Sequence, residues 1–289
     1  METSAILTKI CLQTEVDPLA GFCFGVVAAI RTAEEILDKE GKLYCLGEIV
    51  HNEEESLRLE KKGLTKISHH QLPGIHNSKI LIRAHGEPPE TYIAAGKNNN
   101  SVIDATCTTI LDLQRQIRKS YERGEQIFIF GKTHHPEVIG LNGQTNNTCT
   151  VFNSPEQLKT MNLPESIFLY SQTTMDKEAY HRVYEYFADK GIRVEFHQSI
   201  CNQVSGRKQE LDAFCRRFDK IVFVAGKNSS NGKVLYRQCR AINPKTCFVS
   251  NVEELQKDWF AHGELVGITG ATSTPCWLLR KIADTLNEW

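Results

Sequence analysis

The sequence predicts an α/β protein of three small domains with mainly parallel sheets around a central cavity. Three observations lead to this prediction. Cys23, Cys107 and Cys201 are each followed by apolar residues at helical spacing. Each helical pattern leads to a short apolar strand ending in glycine, and these glycines lie 24, 24 and 25 residues after their cysteines. Strands and helices alternate throughout, which is typical of parallel sheets, and the threefold repetition indicates duplicated units.

The composition favours a soluble globular enzyme. The 289 residues carry a net charge of −1, and 40% are hydrophobic and 24% charged. This balance gives no support for a nucleic-acid surface, and no apolar run is long enough to cross a bilayer. The N-terminal stretch contains Glu2, Glu15 and Asp17 and lacks the apolar centre of a secretion signal. Ten cysteines without such a signal predict a cytoplasmic protein with reduced thiols.

Each predicted unit contains a helix and a strand in the same order. The first has Val26, Ile30, Ala33 and Leu37 before the strand KLYCLG, and the second has Ile110, Leu113, Ile117 and Tyr121 before QIFIFG. The third has Val204, Leu211, Phe214 and Phe218 before KIVFVAG, and Arg207 fills a gap in its apolar spacing. The predicted domains are residues 25–106, 107–200 and 201–289.

A later strand in each unit ends in a polar side chain. These strands are KILIRAHG with His85, SIFLYSQTT with Thr173, and LVGITGATS with Ser273. Ligand groups in parallel sheets lie beyond the carboxyl ends of the strands. We therefore expect the polar ends of all three units to face one cavity.

Three cysteines in matching contexts predict a metal centre. The sequence contains no Cys-x-x-Cys pair, but three thiolates from three domains suit iron–sulfur or zinc. On a four-iron cluster they leave one iron open, as a catalytic zinc keeps one position open. The remaining cysteines are predicted to be apolar core residues: Cys11, Cys45, Cys149, Cys215, Cys239, Cys247 and Cys276.

The polar loops after the first strand of each unit predict an anion site. His51, His135 and Ser229 all lie 28 residues after their cysteine, and each precedes a predicted helix. A helix N-terminus attracts anions, and nearby hydroxyl, amide and imidazole groups add donors: His85, Ser230, Asn231 and Ser273. His69, His70 and His134 are predicted to be structural or surface residues. Glu137 follows Pro136 at a helix start, where glutamate is common, but its position in the presumed cavity also suits a proton donor.

These motifs together resemble the LytB/IspH family of 4-hydroxy-3-methylbut-2-enyl diphosphate reductases. The matching stretches are GFCFGV, EIVHN, AHG, DATC, HHPEV, SQTT, the cysteine of SIC, KNSSN and ATSTP. They occur in family order from about residue 21 to residue 275, which is nearly the whole chain. Two positions depart from the common pattern, since Thr108 replaces a proline and Val204 replaces a threonine.

The resemblance implies a specific reaction and cofactor. The family removes the allylic hydroxyl of its substrate with two electrons and two protons, giving isopentenyl and dimethylallyl diphosphate in the last step of the methylerythritol phosphate pathway. The electrons come from ferredoxin or flavodoxin and pass through an oxygen-sensitive 4Fe–4S cluster, here implied to be held by Cys23, Cys107 and Cys201. Glu137 is implied to deliver protons, with Thr173 beside the substrate hydroxyl. The resemblance also implies that the three α/β domains form a pseudo-threefold trefoil around the central cavity, and it places residues 1–24 with the third domain.

The diphosphate end of the substrate is implied to bind several polar residues: His51, His85, His135, Ser229, Ser230, Asn231 and Ser273. Two other functions remain open from the residues alone. A zinc hydrolase could use the same thiolates with Glu137 assisting a metal-bound water. A non-catalytic iron–sulfur carrier or sensor could use the cysteines, but it gives Glu137 and the histidines no role.

Overall fold

Three parallel sheets of four strands each form the fold. The computed structural model describes residues 10–289, apart from the side chains of Val204, Ser205, Lys208, Gln209 and Ser230. All hydrogen-bonded neighbouring strands in this part run parallel, because helices connect them across the faces of the sheets. The prediction of three α/β units with parallel sheets is confirmed.

The strands and helices have the following bounds. The strands are β1 Gln13–Val16, β2 Leu43–Leu46, β3 Leu64–Ile67, β4 Lys79–Ile82, β5 Ser101–Asp104, β6 Ile127–Phe130, β7 Thr150–Phe152, β8 Ser166–Ser171, β9 Arg193–Phe196, β10 Lys220–Val224, β11 Thr246–Val249 and β12 Leu265–Gly270. The helices are α1 Phe24–Glu40, α2 Glu53–Lys61, α3 Pro89–Ala95, α4 Thr108–Glu122, α5 Pro136–Gly143, α6 Lys177–Asp189, α7 Asn202–Ser205, α8 Arg207–Cys215, α9 Ser230–Ile242 and α10 Cys276–Asn287.

The strand order follows one pattern in all three sheets, when sheet III is read from its other edge and β1 is taken as its last strand. Sheet I is β3-β2-β4-β5, sheet II is β7-β6-β8-β9, and sheet III is β1-β12-β10-β11. Sheet III takes its first strand from the N-terminal part of the chain, where Gln13 pairs with Leu265. The polar loops predicted from the sequence therefore follow the two central strands of each sheet.

The chain divides into two compact units. The first unit contains residues 10–23, Val50–Arg58 and Gly206–Trp289, and it holds sheet III. The second unit contains Phe24–Ile49 and Leu59–Ser205, and it holds sheets I and II. The strands of sheets I and II lie within the ranges 25–106 and 107–200, and the three domain boundaries stay a prediction.

The first two predicted helices form as the apolar spacing indicates. Helix α1 buries Ala29, Ile30, Ala33 and Leu37, and α4 buries Ile110, Leu113 and Ile117. All four residues of β6 are buried, as expected for a central strand that is covered on both faces of its sheet.

The third predicted helix is interrupted and becomes α7 and α8. Arg207, which fills the gap in its apolar pattern, is only 4% exposed. Its guanidinium pairs with the buried Asp17 carboxylate and donates to Thr269 Oγ1 at 2.8 Å. An ion pair therefore occupies a position where an apolar residue would have been expected, because the partner carboxylate comes from the end of β1.

The core assignment of the remaining cysteines is partly wrong. Cys45, Cys215 and Cys239 are buried, whereas Cys11 and Cys276 are exposed. Cys276 is exposed because it is the first residue of α10, at the end of the helix.

None of the helices within residues 10–289 combines the length and apolar content that a membrane span needs.

Candidate functional site

In the second unit, Cys107 stands where β5 ends and α4 begins. It is the N-cap residue of α4, and its backbone N–H donates to the Ala84 carbonyl at 3.0 Å. The backbone of Gly25 in α1 lies against the thiol, since a Cβ at Gly25 would be 2.7 Å from Cys107 Sγ. The glycine of GFCFG therefore lets the thiol lie against the α1 backbone, where any side chain would collide with it.

A series of direct contacts links Cys201 to the predicted polar residues. The Cys201 N–H donates to the Thr173 carbonyl at 2.9 Å. Thr173 in turn donates twice to the Glu137 carboxyl, from its N–H to Oε1 at 2.6 Å and from its hydroxyl to Oε2 at 3.0 Å. The Glu137 N–H donates to His135 Nδ1 at 3.2 Å, so the proton of a neutral His135 ring is on Nε2.

His85 completes this group of residues. Its ring lies edge-on to that of His135, with 5.5 Å between centroids. His85 directly follows Ala84, the residue whose carbonyl accepts from Cys107. The second unit therefore brings together all six of its predicted site residues: His85, Cys107, His135, Glu137, Thr173 and Cys201.

Glu137 has an unusual electrostatic environment for a carboxyl group. Its side chain is 1% exposed, and the two Thr173 donors are its hydrogen-bond partners. Burial raises the pKa of Glu137 to about 7, and the Thr173 bonds oppose that rise. Desolvation dominates because the charged form loses more solvation than two neutral donors return. A carboxyl with this pKa can give and take a proton near neutral pH.

Two charged residues that the sequence analysis did not single out flank the turn that carries His85. Gly86 adopts a φ of +71° and donates to the Arg83 carbonyl at 3.0 Å, which forms the turn. Arg83 and Glu87 flank this turn, are 7% and 3% exposed, and lie 3.6 Å apart. Exposed His69 pairs with Glu87 at 2.8 Å. The sequence signal for this pair is the two opposite charges four residues apart, Arg83 and Glu87, on either side of AHG.

In the first unit, His51 lies beside the end of β10. A Cβ on Gly226 would be 2.4 Å from the His51 carbonyl oxygen, so this close approach requires glycine. Ser229 is the N-cap of α9, and its hydroxyl accepts from the Gly232 N–H at 3.0 Å. The Ser229 hydroxyl also contacts that of Ser273 at 3.0 Å.

Thr272 joins Cys23 to the start of α9. The Cys23 N–H donates to the Thr272 carbonyl at 3.2 Å, and Asn231 Nδ2 donates to Thr272 Oγ1 at 2.9 Å. The first unit therefore places Ser229, Asn231 and Ser273 together. The side chains of Ser230 and Val204 lie outside the part of the chain that is described, so the predictions for them stay predictions.

The three candidate ligands differ from the core cysteines in their surroundings. Cys23, Cys107 and Cys201 are partly exposed, whereas Cys45 is buried and desolvation raises its pKa to about 12. Metal ligation requires a thiolate, which burial in apolar surroundings disfavours. The donor chemistry therefore fits soft metal ions or an iron–sulfur cluster.

Comparison with known sequences finds one family along the chain. The sequence model of the LytB protein family matches residues 16–287. A Bacteroides fragilis relative named 4-hydroxy-3-methylbut-2-enyl diphosphate reductase is 42% identical over 282 residues, which are 95% of this chain and 97% of the relative. A Porphyromonas gingivalis relative of the same name is 44% identical over 282 residues, with 94% and 98% covered.

Two solved structures share the fold. One is described as (E)-4-hydroxy-3-methyl-but-2-enyl diphosphate reductase, the terminal enzyme of the non-mevalonate pathway. It matches with a TM-score of 0.75 at 32% identity, covering 96% of this chain and 99% of that one. The other is the E-1-hydroxy-2-methyl-but-2-enyl-4-diphosphate reductase from Plasmodium falciparum, with a TM-score of 0.83 at 25% identity and coverages of 97% and 90%.

Proposed function

This chain belongs to the LytB protein family, and from that premise we propose that it reduces 4-hydroxy-3-methylbut-2-enyl diphosphate. The substrate accepts two electrons and two protons, its allylic C–O bond breaks, and water leaves with isopentenyl or dimethylallyl diphosphate as the product. The observation that carries the proposal is the buried Glu137 carboxyl, which Thr173 holds within the series of contacts that begins at Cys201.

We assign Cys23, Cys107 and Cys201 as the ligands of a 4Fe–4S cluster. When bound, the cluster supplies the electrons and, at the iron without a cysteine, a Lewis-acidic position for the substrate hydroxyl. The matching sequence contexts of the three cysteines support the assignment. Their partial exposure, which Cys149 and Cys247 share, is compatible with it.

Glu137 is the proton donor in this proposal. With a pKa of about 7, a large share of the carboxyl groups is protonated at neutral pH, which suits general acid catalysis. The Thr173 N–H and hydroxyl bind both carboxyl oxygens and fix their orientation. The Glu137 proton is transferred to the departing hydroxyl oxygen, and the resulting carboxylate keeps its two Thr173 donors.

We further assign His51, His85, His135, Ser229, Ser230, Asn231 and Ser273 to the diphosphate end of the substrate. In the first unit, two hydroxyls meet at the N-terminus of α9, where the helix dipole favours negative charge. In the second unit, the paired His85 and His135 rings can donate to phosphate oxygens. Binding the remote diphosphate would hold the hydroxyl in place for reaction.

The electron donor and the compartment follow from the resemblance to the family. We propose ferredoxin or flavodoxin as the donor and the cytoplasm as the place of action. Electron transfer from either purified protein, measured against a reduced dye as the reference, would test the donor assignment.

The direct test of the function is anaerobic purification followed by turnover of the allylic diphosphate with a reduced dye. We expect a brown protein with about four iron and four sulfide per chain, as a 4Fe–4S cluster requires, and formation of both C5 diphosphates. A colourless zinc protein would favour the hydrolase, and a brown protein without turnover or diphosphate affinity would favour the carrier.

Glu137→Gln tests the proton donor. The variant keeps the size of the side chain but cannot release the proton, so we expect the visible spectrum to persist and kcat to fall roughly a hundredfold or more. Glu264→Gln is the control for the loss of a carboxylate, because Glu264 is partly buried, at 12% exposed, and lies before β12, where it pairs with Lys220. Full turnover by Glu137→Gln would remove Glu137 from the mechanism.

A further inference from the structure

A buried carboxylate with no part in the proposed chemistry lies in the first turn of α2. Glu55 is 1% exposed and accepts a hydrogen bond from the Trp277 indole N–H at 2.7 Å. Arg58 donates to both of its oxygens, from Nε to Oε2 at 2.9 Å and from Nη2 to Oε1 at 2.6 Å. Three N–H donors, two from Arg58 and one from Trp277, therefore bind the buried Glu55 carboxylate.

This carboxylate joins two segments that carry predicted diphosphate ligands. Glu55 follows His51 by four residues, and Trp277 follows Ser273 by four residues. The two partners are 222 residues apart in the sequence, and both belong to the first unit. The hydrogen bond thus fixes the start of α2 against the start of α10.

The backbone between Glu55 and His51 is also fixed. Asn52, which is 2% exposed, accepts the Glu55 N–H on its side-chain oxygen at 3.0 Å. On the other side of this turn, the His51 carbonyl packs on Gly226. Asn52 and the contact at Gly226 therefore couple the place of Glu55 to that of the His51 backbone.

We propose that Glu55 and Trp277 are positioning residues that set the place of His51 for the diphosphate end of the substrate. The inference rests on the proposed function, since it gives His51 its ligand. Arg58 is 32% exposed and lies one turn further along the same helix, so it neutralises Glu55 within α2. Trp277 connects Glu55 to a different element, and the positioning therefore depends on the indole N–H.

Two substitutions test the proposal in the anaerobic holoenzyme. Trp277→Phe keeps an aromatic ring but removes the donor, and Glu55→Gln keeps the length but turns an amide N–H₂ toward donors. For each variant we expect KM to rise and inorganic pyrophosphate to bind roughly tenfold more weakly by calorimetry, which equals about 1.4 kcal/mol. The value of kcat at saturating substrate and the visible spectrum should stay within about twofold of the wild type.

A double-mutant comparison shows whether the effect passes through His51. In a His51→Ala background, Trp277→Phe should leave the pyrophosphate Kd unchanged. An undiminished effect in that background, or an unchanged Kd in both single variants, would overturn the proposal. Glu264→Gln is the control for the loss of a paired, partly buried carboxylate, and it should lower Tm without raising KM.

The binding measurement also separates this inference from the proposed function. If the wild type binds pyrophosphate but does not reduce the allylic diphosphate, the function fails while the Kd comparison still decides the role of Trp277. If the wild type does not bind pyrophosphate, the positioning role is overturned as well. Should Glu55→Gln fail to fold, the milder Trp277→Phe variant decides the question.

Discussion

At the scale of single residues, the burial of one carboxyl sets the pH range of the proposed reaction. Desolvation raises the pKa of Glu137 to about 7, while the two Thr173 bonds favour the charged form and lower it. A general acid must carry its proton before the reaction. We therefore expect kcat/KM to fall as the pH rises through about 7.

Thr173→Val should move this falling limb to higher pH. The substitution removes the 3.0 Å hydroxyl bond to Glu137 and keeps the backbone donor. Because the lost bond stabilises the carboxylate, the pKa of Glu137 should rise by about one unit or less. The measurement is kcat/KM as a function of pH.

Thr145→Val is the control for this pH profile. Thr145 is fully buried, and its hydroxyl donates to the Asn142 carbonyl at 2.8 Å. The hydroxyl also contacts the Cys149 thiol at 3.1 Å, but burial raises the pKa of that thiol to about 11, far above the limb that is measured. Its profile should match the wild type. A limb that stayed in place or moved to lower pH in Thr173→Val would contradict the assignment of this titration to Glu137.

At the scale of elements, the contact between α1 and the start of α4 depends on a missing side chain. A Cβ on Gly25 would lie 2.7 Å from Cys107 Sγ and 2.9 Å from its Cβ, closer than atoms can approach without movement. Gly25→Ala should displace Cys107 and lower the iron content and visible absorbance per chain. Gly74→Ala is a control, because no atom lies within 4 Å of the added Cβ. Equal iron content in the two variants would show that Cys107 tolerates the shift.

The buried ion pair of Asp17 and Arg207 should be important for stability. It lies where the apolar pattern of the third predicted helix is interrupted. Asp17 and Arg207 are 3% and 4% exposed, and Thr269 donates to the same carboxylate at 2.7 Å. Asp17→Asn leaves the Arg207 charge buried without its counterion, which costs about 3 kcal/mol or more in the free energy of unfolding.

Urea unfolding measures this cost. The comparison is Glu35→Gln, which breaks the exposed Arg31–Glu35 pair, 79% and 56% exposed, and should change stability by less than about 0.5 kcal/mol. Similar losses in the two variants would mean that solvent or another group compensates Arg207 in Asp17→Asn.

At the scale of the whole molecule, polar residues follow the two central strands of each sheet along the chain. His51 and His85 follow β2 and β4, His135 and Thr173 follow β6 and β8, and Ser229 and Ser273 follow β10 and β12. Parallel strands end at the same edge of a sheet, so in sheets II and III this arrangement gathers ligand groups without any local signal between the strands.

A ligand that binds these residues only in the folded state should stabilise the protein. Inorganic pyrophosphate at about a hundred times its Kd should add about 2.7 kcal/mol to the free energy of unfolding, seen as a higher Tm of the anaerobic protein. Sulfate at the same ionic strength is the control, because it lacks the second phosphoryl group. Equal rises in Tm with both anions would indicate a general salt effect instead of a diphosphate site.

The sequence by itself determined the elements and most of the site. Apolar residues at helical spacing predict α1 and α4 because one face of each helix must be buried, and both formed. The threefold repetition predicts the three sheets, and the motifs indicate the six site residues that the second unit brings together. These features are encoded locally, in spacings of a few residues or in repeats that can be compared directly.

The tertiary structure decided what surrounds those residues. The pKa of Glu137 depends on complete burial and on Thr173, 36 residues away, and no short pattern encodes either. Asp17 meets Arg207 across 190 residues and Glu55 meets Trp277 across 222, so the partner of each buried charge is chosen by packing. Burial and long-range pairing are properties of the folded chain, because a charged group can leave water only where distant segments supply its counterion or donors.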